Sequence, residues 1–384
     1  MSLPKKIFLI SSIALVVVLL LWGVYILSFK KTPISNSNVP SDAIEAIAPD
    51  ILAKKAAQIA VLVDEAVLSP TLSINGDAVR YYSKTTGKAF EIDILSEAKK
   101  TISGKELVNL SSINWSPDKS RVISGFPINS LSSKFFSYDY AQNKGVQLKD
   151  NLDSVVWQNN NKIIYKYFDA KTKERTLNVA DPDGANWKKI IDLSMKDIAI
   201  AAIPKTGLIS FWSKADSFNK TLLQTVPVFG GELKTLASEK FGADYLWSDD
   251  GNMLLESSVE TAGGSKLQLG VMNSFGGEYK TLGIPTLVSK CAWSKGNKNI
   301  YYALPSSIPE GATMPNDYND NKITTSDTFW MVNTTTGEKT RLVDLDKITQ
   351  TYDATNLFLS PDESILFFVN KIDGKLYRIT LQGK

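Results

Sequence analysis

The chain has 384 residues, 43% apolar and 22% charged, which is globular composition and length enough for one large domain or two smaller ones. Its 43 basic and 40 acidic residues are spread along the whole sequence, so the net charge of +3 supplies no field for nucleic-acid binding. Histidine is absent and Cys291 is the single cysteine, which excludes intrachain disulfides, Ser-His and Cys-His nucleophile pairs, and the commonest transition-metal ligand.

After a tail of residues 1–6, residues 7–29 form an uncharged apolar run bracketed by Lys5-Lys6 and Lys30-Lys31. At a helical rise these 23 residues span roughly 34 Å, enough to cross a bilayer with some tilt, and Trp22, Tyr25 and Phe29 lie toward one end, where an aromatic belt is expected. A single-pass transmembrane helix acting as a signal-anchor is therefore expected, with a cleaved signal peptide as the alternative. The lysine count is equal on the two flanks and does not orient the helix; an extracytoplasmic C-terminal domain, periplasmic or at the cell surface, is the expected arrangement. Residues 30–55 read as a polar linker with a short helix capped by Asp42 and interrupted by Pro49.

From residue 56 to 384 one pattern recurs: an apolar strand, a serine, a turn, then a second apolar run. Its anchor position falls at Ser73, Ser116, Gln158, Pro204, Ser248, Ser294 and Ser360, at intervals of 43, 42, 46, 44, 46 and 66 residues. A second motif keeps the same period: GGELKTL at 230–236 returns as GGEYKTL at 276–282 and more loosely as GEKTRL at 337–342. Each period reads as short strands separated by turn residues, and units of about 40–45 residues with four strands are what a β-propeller blade requires. The fold expected is all-β, a seven-bladed β-propeller of four-stranded antiparallel blades; a sandwich or a β-helix array is the alternative. Trp115, Trp157, Trp247 and Trp293 recur before the turn, where their rings can fill space between blades, and Asp118 and Asp362 recur inside it. These residues and the anchor serines are assigned to structure, and no catalytic, cofactor or metal residue is singled out.

The last anchor leaves only 24 residues, too few for a complete blade. The segment AAQIAVLV, residues 56–63, is expected to supply the missing outer strand and so to clasp the two ends of the propeller together. A continuation of the preceding helix competes for the same residues.

The motifs NWSPDKS, LWSDDGN and LFLSPDES resemble the Trp-Ser-Pro-Asp-Gly repeat of the TolB-like, WD-like β-propellers, over about residues 56–384. That resemblance implies the propeller fold and little about activity, since the family includes periplasmic scaffolds as well as the propeller portions of prolyl oligopeptidase-type enzymes. No Gly-x-Ser-x-Gly occurs in the chain.

The interval before Ser360 exceeds the period by roughly 20 residues, and the surplus falls in 305–327. A tolerated surface excursion is expected there, with a recognition element as the alternative. Within it DYNDN, Asp317 to Asn321, has the alternating oxygens of a calcium loop but lacks the glycine and glutamate of one, so a solvated loop is expected and no cofactor. Two function classes remain. The first is a membrane-anchored, non-enzymatic binding or scaffold protein of the cell envelope with an envelope protein or glycan as partner and no nucleic acid. The second is a carboxylate-based, calcium-assisted enzyme acting on glycans or lactones.

Overall fold

The computed structural model describes residues 58–129 and 132–381. The expected membrane helix 7–29 and linker helix lie outside the described residues, and no helix among those described is long and apolar enough to cross a membrane. The described residues form seven antiparallel sheets of four strands. In six blades the four strands are consecutive in sequence. Their first strands are Val67–Leu72, Ser112–Trp115, Leu152–Asn159, Ile198–Ala202, Phe241–Trp247 and Cys291–Trp293. The seventh blade begins with Ala354–Leu359, continues through Ile365–Asn370 and Leu376–Thr380, and is completed by Ile59–Val63. That N-terminal strand pairs antiparallel with Leu376–Thr380, placing Ile59 opposite Ile379 and Val61 opposite Tyr377. The N-terminal strand covers the edge of Leu376–Thr380 and brings the last blade to the same four strands as the others.

The core is divided among the blade interfaces, because each sheet is covered on both faces by its neighbours. Tyr81, Ile163, Phe211, Leu255, Tyr302 and Phe367, all from second strands, are fully or almost fully buried. Seven clusters of buried apolar residues correspond to the seven interfaces. Thirteen residues lie between blades 6 and 7, including Phe329, Phe368 and Tyr377, whereas only five lie between blades 1 and 2. Leu62 and Val63 of the N-terminal strand pack with Phe367 of blade 7 and with Val79 and Tyr81 of blade 1, so the clasp is held by apolar burial as well as by its ladder.

Four inner strands carry a bulge with a residue of positive φ: Ser69, Ser154, Gly242 and Asn356, in blades 1, 3, 5 and 7. In blades 1 and 3 the bulge aims a hydroxyl at the next blade, since Ser69 Oγ donates to the Ile113 carbonyl at 2.7 Å and Ser154 Oγ to the Ile198 carbonyl at 2.9 Å. These bonds occupy carbonyls on the channel side of strands that have no neighbour there.

The segment 305–327 is not a solvated excursion. It contains a one-turn helix, Asn316–Asn319, and buries Met314 and Tyr318 in an eighth cluster with Val259, Leu267 and Leu287. The Met314 N–H donates to the Gly264 carbonyl of blade 5 at 3.0 Å, and Asn316 Nδ2 donates to Asp216 of blade 4 at 2.9 Å. Pro315 lies so close to Gly242 that a Cβ there would stand 2.8 Å from its ring, on a backbone with φ of +57°. Asp317 accepts from the Thr313 N–H and from Lys322, so the first carboxylate of DYNDN serves to fold this segment. The apolar residues that decide the matter, Met314 and Tyr318, are too far apart in composition from a strand or helix pattern to announce their burial.

Candidate functional site

The turns that follow the inner strands form one rim of the channel. In blades 1, 2, 5, 6 and 7 the first turn residue is serine, and its Oγ accepts the backbone N–H five residues on. Ser73 accepts from Ala78 at 3.3 Å, Ser116 from Arg121 at 2.9 Å, and Ser248, Ser294 and Ser360 from Met253, Asn299 and Ile365 at 3.0 Å. Four of the five hydroxyls donate in turn to a carboxylate: Ser73 to Asp77, Ser116 to Asp118, Ser248 to Asp250 and Ser360 to Asp362. Hydrogen bonds from the Ser360 hydroxyl and from the Ser364 backbone and side chain hold Asp362 down to about 2. Burial works against ionisation of Asp118, but bonds from Ser116 and Ser120 keep its carboxyl below the usual range. These acids lock the turns.

The tryptophans join blades. Trp115 Nε1 donates to the Ser69 carbonyl at 2.9 Å, Trp157 Nε1 to the Asn114 carbonyl at 2.8 Å, and Trp293 Nε1 to the Leu246 carbonyl at 3.2 Å. Trp247 reaches the Ser210 hydroxyl of blade 4 at 2.8 Å. In every case the partner belongs to the preceding blade, and the ring sits in the cluster between the two.

Inside this rim lies a cavity of about 790 Å³ walled by residues of blades 1, 2, 5, 6 and 7. Ser73, Trp247, Trp293 and Ser360 contribute to its wall, whereas Trp115, Ser116, Asp118, Trp157, Ser248, Ser294 and Asp362 stand off it. Its charged residues are Lys119, Asp249, Lys295 and Glu363. Glu363 is committed to holding blade 6, accepting from the Lys295 N–H at 2.5 Å and from the Tyr301 hydroxyl at 3.2 Å. Burial raises Asp249 above the usual carboxylate range, with Lys205 opposing. Burial lowers Lys119, and the Arg80 guanidinium beside it acts in the same direction. Among the described residues no three Asp, Glu, Cys or His side chains are gathered as a metal site. The mouth therefore offers two ammonium groups and one carboxyl around an apolar floor of Leu246, Leu357 and Phe358, a surface suited to holding a ligand by several dispersed polar contacts.

Lys119, Asp249, Lys295 and Glu363 carry no mark in the sequence beyond membership of the turns. Lys119 and Glu363 lie three residues after their anchor serines, and Asp249 and Lys295 one residue after theirs, but opposite charges share each offset, so the period assigns no common chemistry to these positions. A second polar cluster was equally silent: Lys290, Asp327 and Asp353, with Tyr318 and Thr325, meet with no solvent exposure where blades 6 and 7 and the segment 305–327 join.

No family profile matches the sequence, and no curated protein does. Among solved structures, an oligogalacturonate lyase from Vibrio parahaemolyticus is similar, with a TM-score of 0.59 and 10% identity over 84% of this chain and 93% of that one. The propeller domain of the trilobed protease from Pyrococcus furiosus is similar with a TM-score of 0.53 and 13% identity, covering 84% of this chain and 95% of that one. TolB from Acinetobacter baumannii, at a TM-score of 0.45 and 14% identity over 79% of this chain and 70% of that one, is too distant to carry an inference. At such identities the likeness is one of fold. The chain is a seven-bladed β-propeller of four-stranded antiparallel blades.

Proposed function

We propose that this propeller is a non-enzymatic binding or scaffold protein, held at a membrane by residues 7–29 with residues 56–384 on the extracytoplasmic side, and that its channel mouth receives an envelope protein or glycan. The supporting observation is the 790 Å³ mouth itself. One of its two carboxylates, Glu363, is engaged by bonds between blades, and its remaining charges, Lys119, Asp249 and Lys295, come from three separate blades. Such an arrangement distributes recognition over the rim.

The test is capture from detergent-solubilised membranes by the full chain and by a Lys119→Glu/Lys295→Glu variant. A protein or glycan retained by the first and lost by the second is the expected result. Fold likeness to an oligogalacturonate lyase makes oligogalacturonate the substrate to try in parallel. Appearance of unsaturated products on incubation, with or without a divalent cation, would overturn the non-enzymatic reading. For the topology, protease added to intact spheroplasts should digest the propeller, and full protection would reverse the orientation.

A further inference from the structure

The interface between blades 1 and 2 has the smallest apolar core of the seven, and beside that core lies a cavity of about 430 Å³ that no side chain fills. Blade 1 contributes Tyr82 and Leu107 to its wall, and blade 2 contributes Val122, Phe126, Phe136 and Tyr138. Phe126 and Phe136 meet edge to face with ring centroids 5.5 Å apart. They stand on Arg121–Asn129 and Ser132–Asp139, a hairpin that is longer than its counterparts in other blades and pairs from Arg121↔Asp139 out to Asn129↔Ser132. The outer strand opens the space further. Its Gly145 lies opposite Tyr138, and a Cβ added there would make only ordinary contact with the tyrosine ring at 3.5 Å.

The charged groups at this cavity are of one sign, beside the neutral hydroxyls of Ser103, Ser124 and Ser137. Lys105 lines it, and Lys134 lies opposite Phe126 in the ladder and on the same strand face as Phe136, two residues along. Among the described residues neither lysine has a carboxylate partner, whereas the nearby Lys88 is paired with Glu106. An apolar cavity in the size range of small-ligand sites, with free ammonium groups at its edge, is matched by a molecule with an aliphatic body and an anionic end. We propose that this cleft binds a small amphiphilic anion, a free carboxylic acid with a chain of about eight to ten carbons.

The test uses the full chain in lipid nanodiscs and decanoic acid carrying a terminal diazirine. Irradiation followed by peptide mapping should place the label on the cavity wall, within 121–147 or at Tyr82 and 103–107, and excess decanoate should compete it away. Octanoate should compete roughly tenfold more weakly, because each buried methylene contributes to binding. Gly145→Leu, which grows a side chain toward the cavity, should abolish labelling while leaving the melting temperature unchanged. Should that variant melt early, Ser124→Val, on the cavity wall, replaces it with the same expectation. Lys105→Gln with Lys134→Gln should weaken competition by decanoate about tenfold and leave competition by decanol unaltered. Label found away from Tyr82, 103–107 and 121–147, label that survives both filling variants, or decanol competing as well as decanoate against the unsubstituted protein would each overturn the proposal. So would stronger competition by a short peptide ending in phenylalanine, which would make the cleft a peptide site.

Discussion

Lys290 Nζ donates to Asp353 Oδ1 at 2.7 Å, both side chains wholly shielded from water, and the bond joins blade 6 to blade 7. The same ammonium reaches Asp327 Oδ2 at 2.7 Å and Thr325 Oγ1 at 2.9 Å. Burial raises Asp327 above the usual carboxylate range against the pull of Lys290. Burial acts on Asp353 as well, but Lys290, Tyr318 and Thr325 together hold its carboxyl below that range. Replacing Lys290 with methionine strands two acids in the interior, and a loss of about 3–5 kcal/mol in unfolding free energy is expected from urea titration. Adding Asp327→Asn and Asp353→Asn should recover part of that loss, because no unpaired charge then remains.

Replacing residues 306–325 with a short Gly-Ser linker should lower the urea midpoint markedly. Loop length itself costs little, but the replacement removes Met314 and Tyr318 from the eighth cluster and the Tyr318 hydroxyl from Asp353. Met314→Ala alone should cost about 2–5 kcal/mol, the range for emptying a buried site of that size. An unchanged midpoint in both variants would show that the segment does not pack in solution.

Deletion of residues 54–64 should destabilise the whole ring in one cooperative transition. Ile59–Val63 is the outer strand of blade 7, and Leu62 and Val63 fill the interface with blade 1. A differential scanning trace with the parent melting temperature would show that the clasp contributes nothing.

Stability should respond to pH through Glu256. This residue is 1% exposed, and burial raises its carboxyl above the model-compound value of 4.5 despite Lys240 and hydrogen bonds from Tyr279 and Ser258. The folded state then holds the proton more tightly than the unfolded chain, so the contribution is fully present below pH 4.5 and is lost as pH rises through the folded value. Glu256→Gln should flatten the fall in melting temperature above pH 4.5. Asp362, held down to about 2, acts in the opposite sense: its contribution is present above 3.8 and disappears as pH falls toward 2. Asp362→Asn should remove that acid-side dependence, read from the same series of melts.

The packing around Glu256 also constrains Gly270. A Cβ there would stand 2.3 Å from the Tyr279 hydroxyl, which donates to Glu256 Oε1 at 3.3 Å. Tyr279 is 39% exposed, so Gly270→Ala should turn its phenol toward solvent and cost about 1 kcal/mol, the lost hydrogen bond to Glu256, as measured by thermal melting.

What the sequence determined by itself is the repeat. Serine, turn and apolar run return at Ser73, Ser116, Ser248, Ser294 and Ser360 because each blade must make the same reversal with local chemistry, and local chemistry is written in adjacent residues. The GGELKTL phase has the same origin: it leads into the outer strands Lys234–Ala237 and Lys280–Thr281. Strand supply and demand at the two ends of the chain were also legible, since a blade short of one strand implies a donor elsewhere. What only the tertiary structure decided are contacts between residues far apart in sequence that no period relates. Lys290, Tyr318 and Asp353 come from a short lead into a strand, a one-turn helix and a blade junction, and they meet where blades 6 and 7 and the segment 305–327 join. The cavity at the channel mouth and the cleft between blades 1 and 2 belong to the same class. Each is a space left over when seven similar but unequal sheets pack around an axis, and a space between sheets has no sequence of its own.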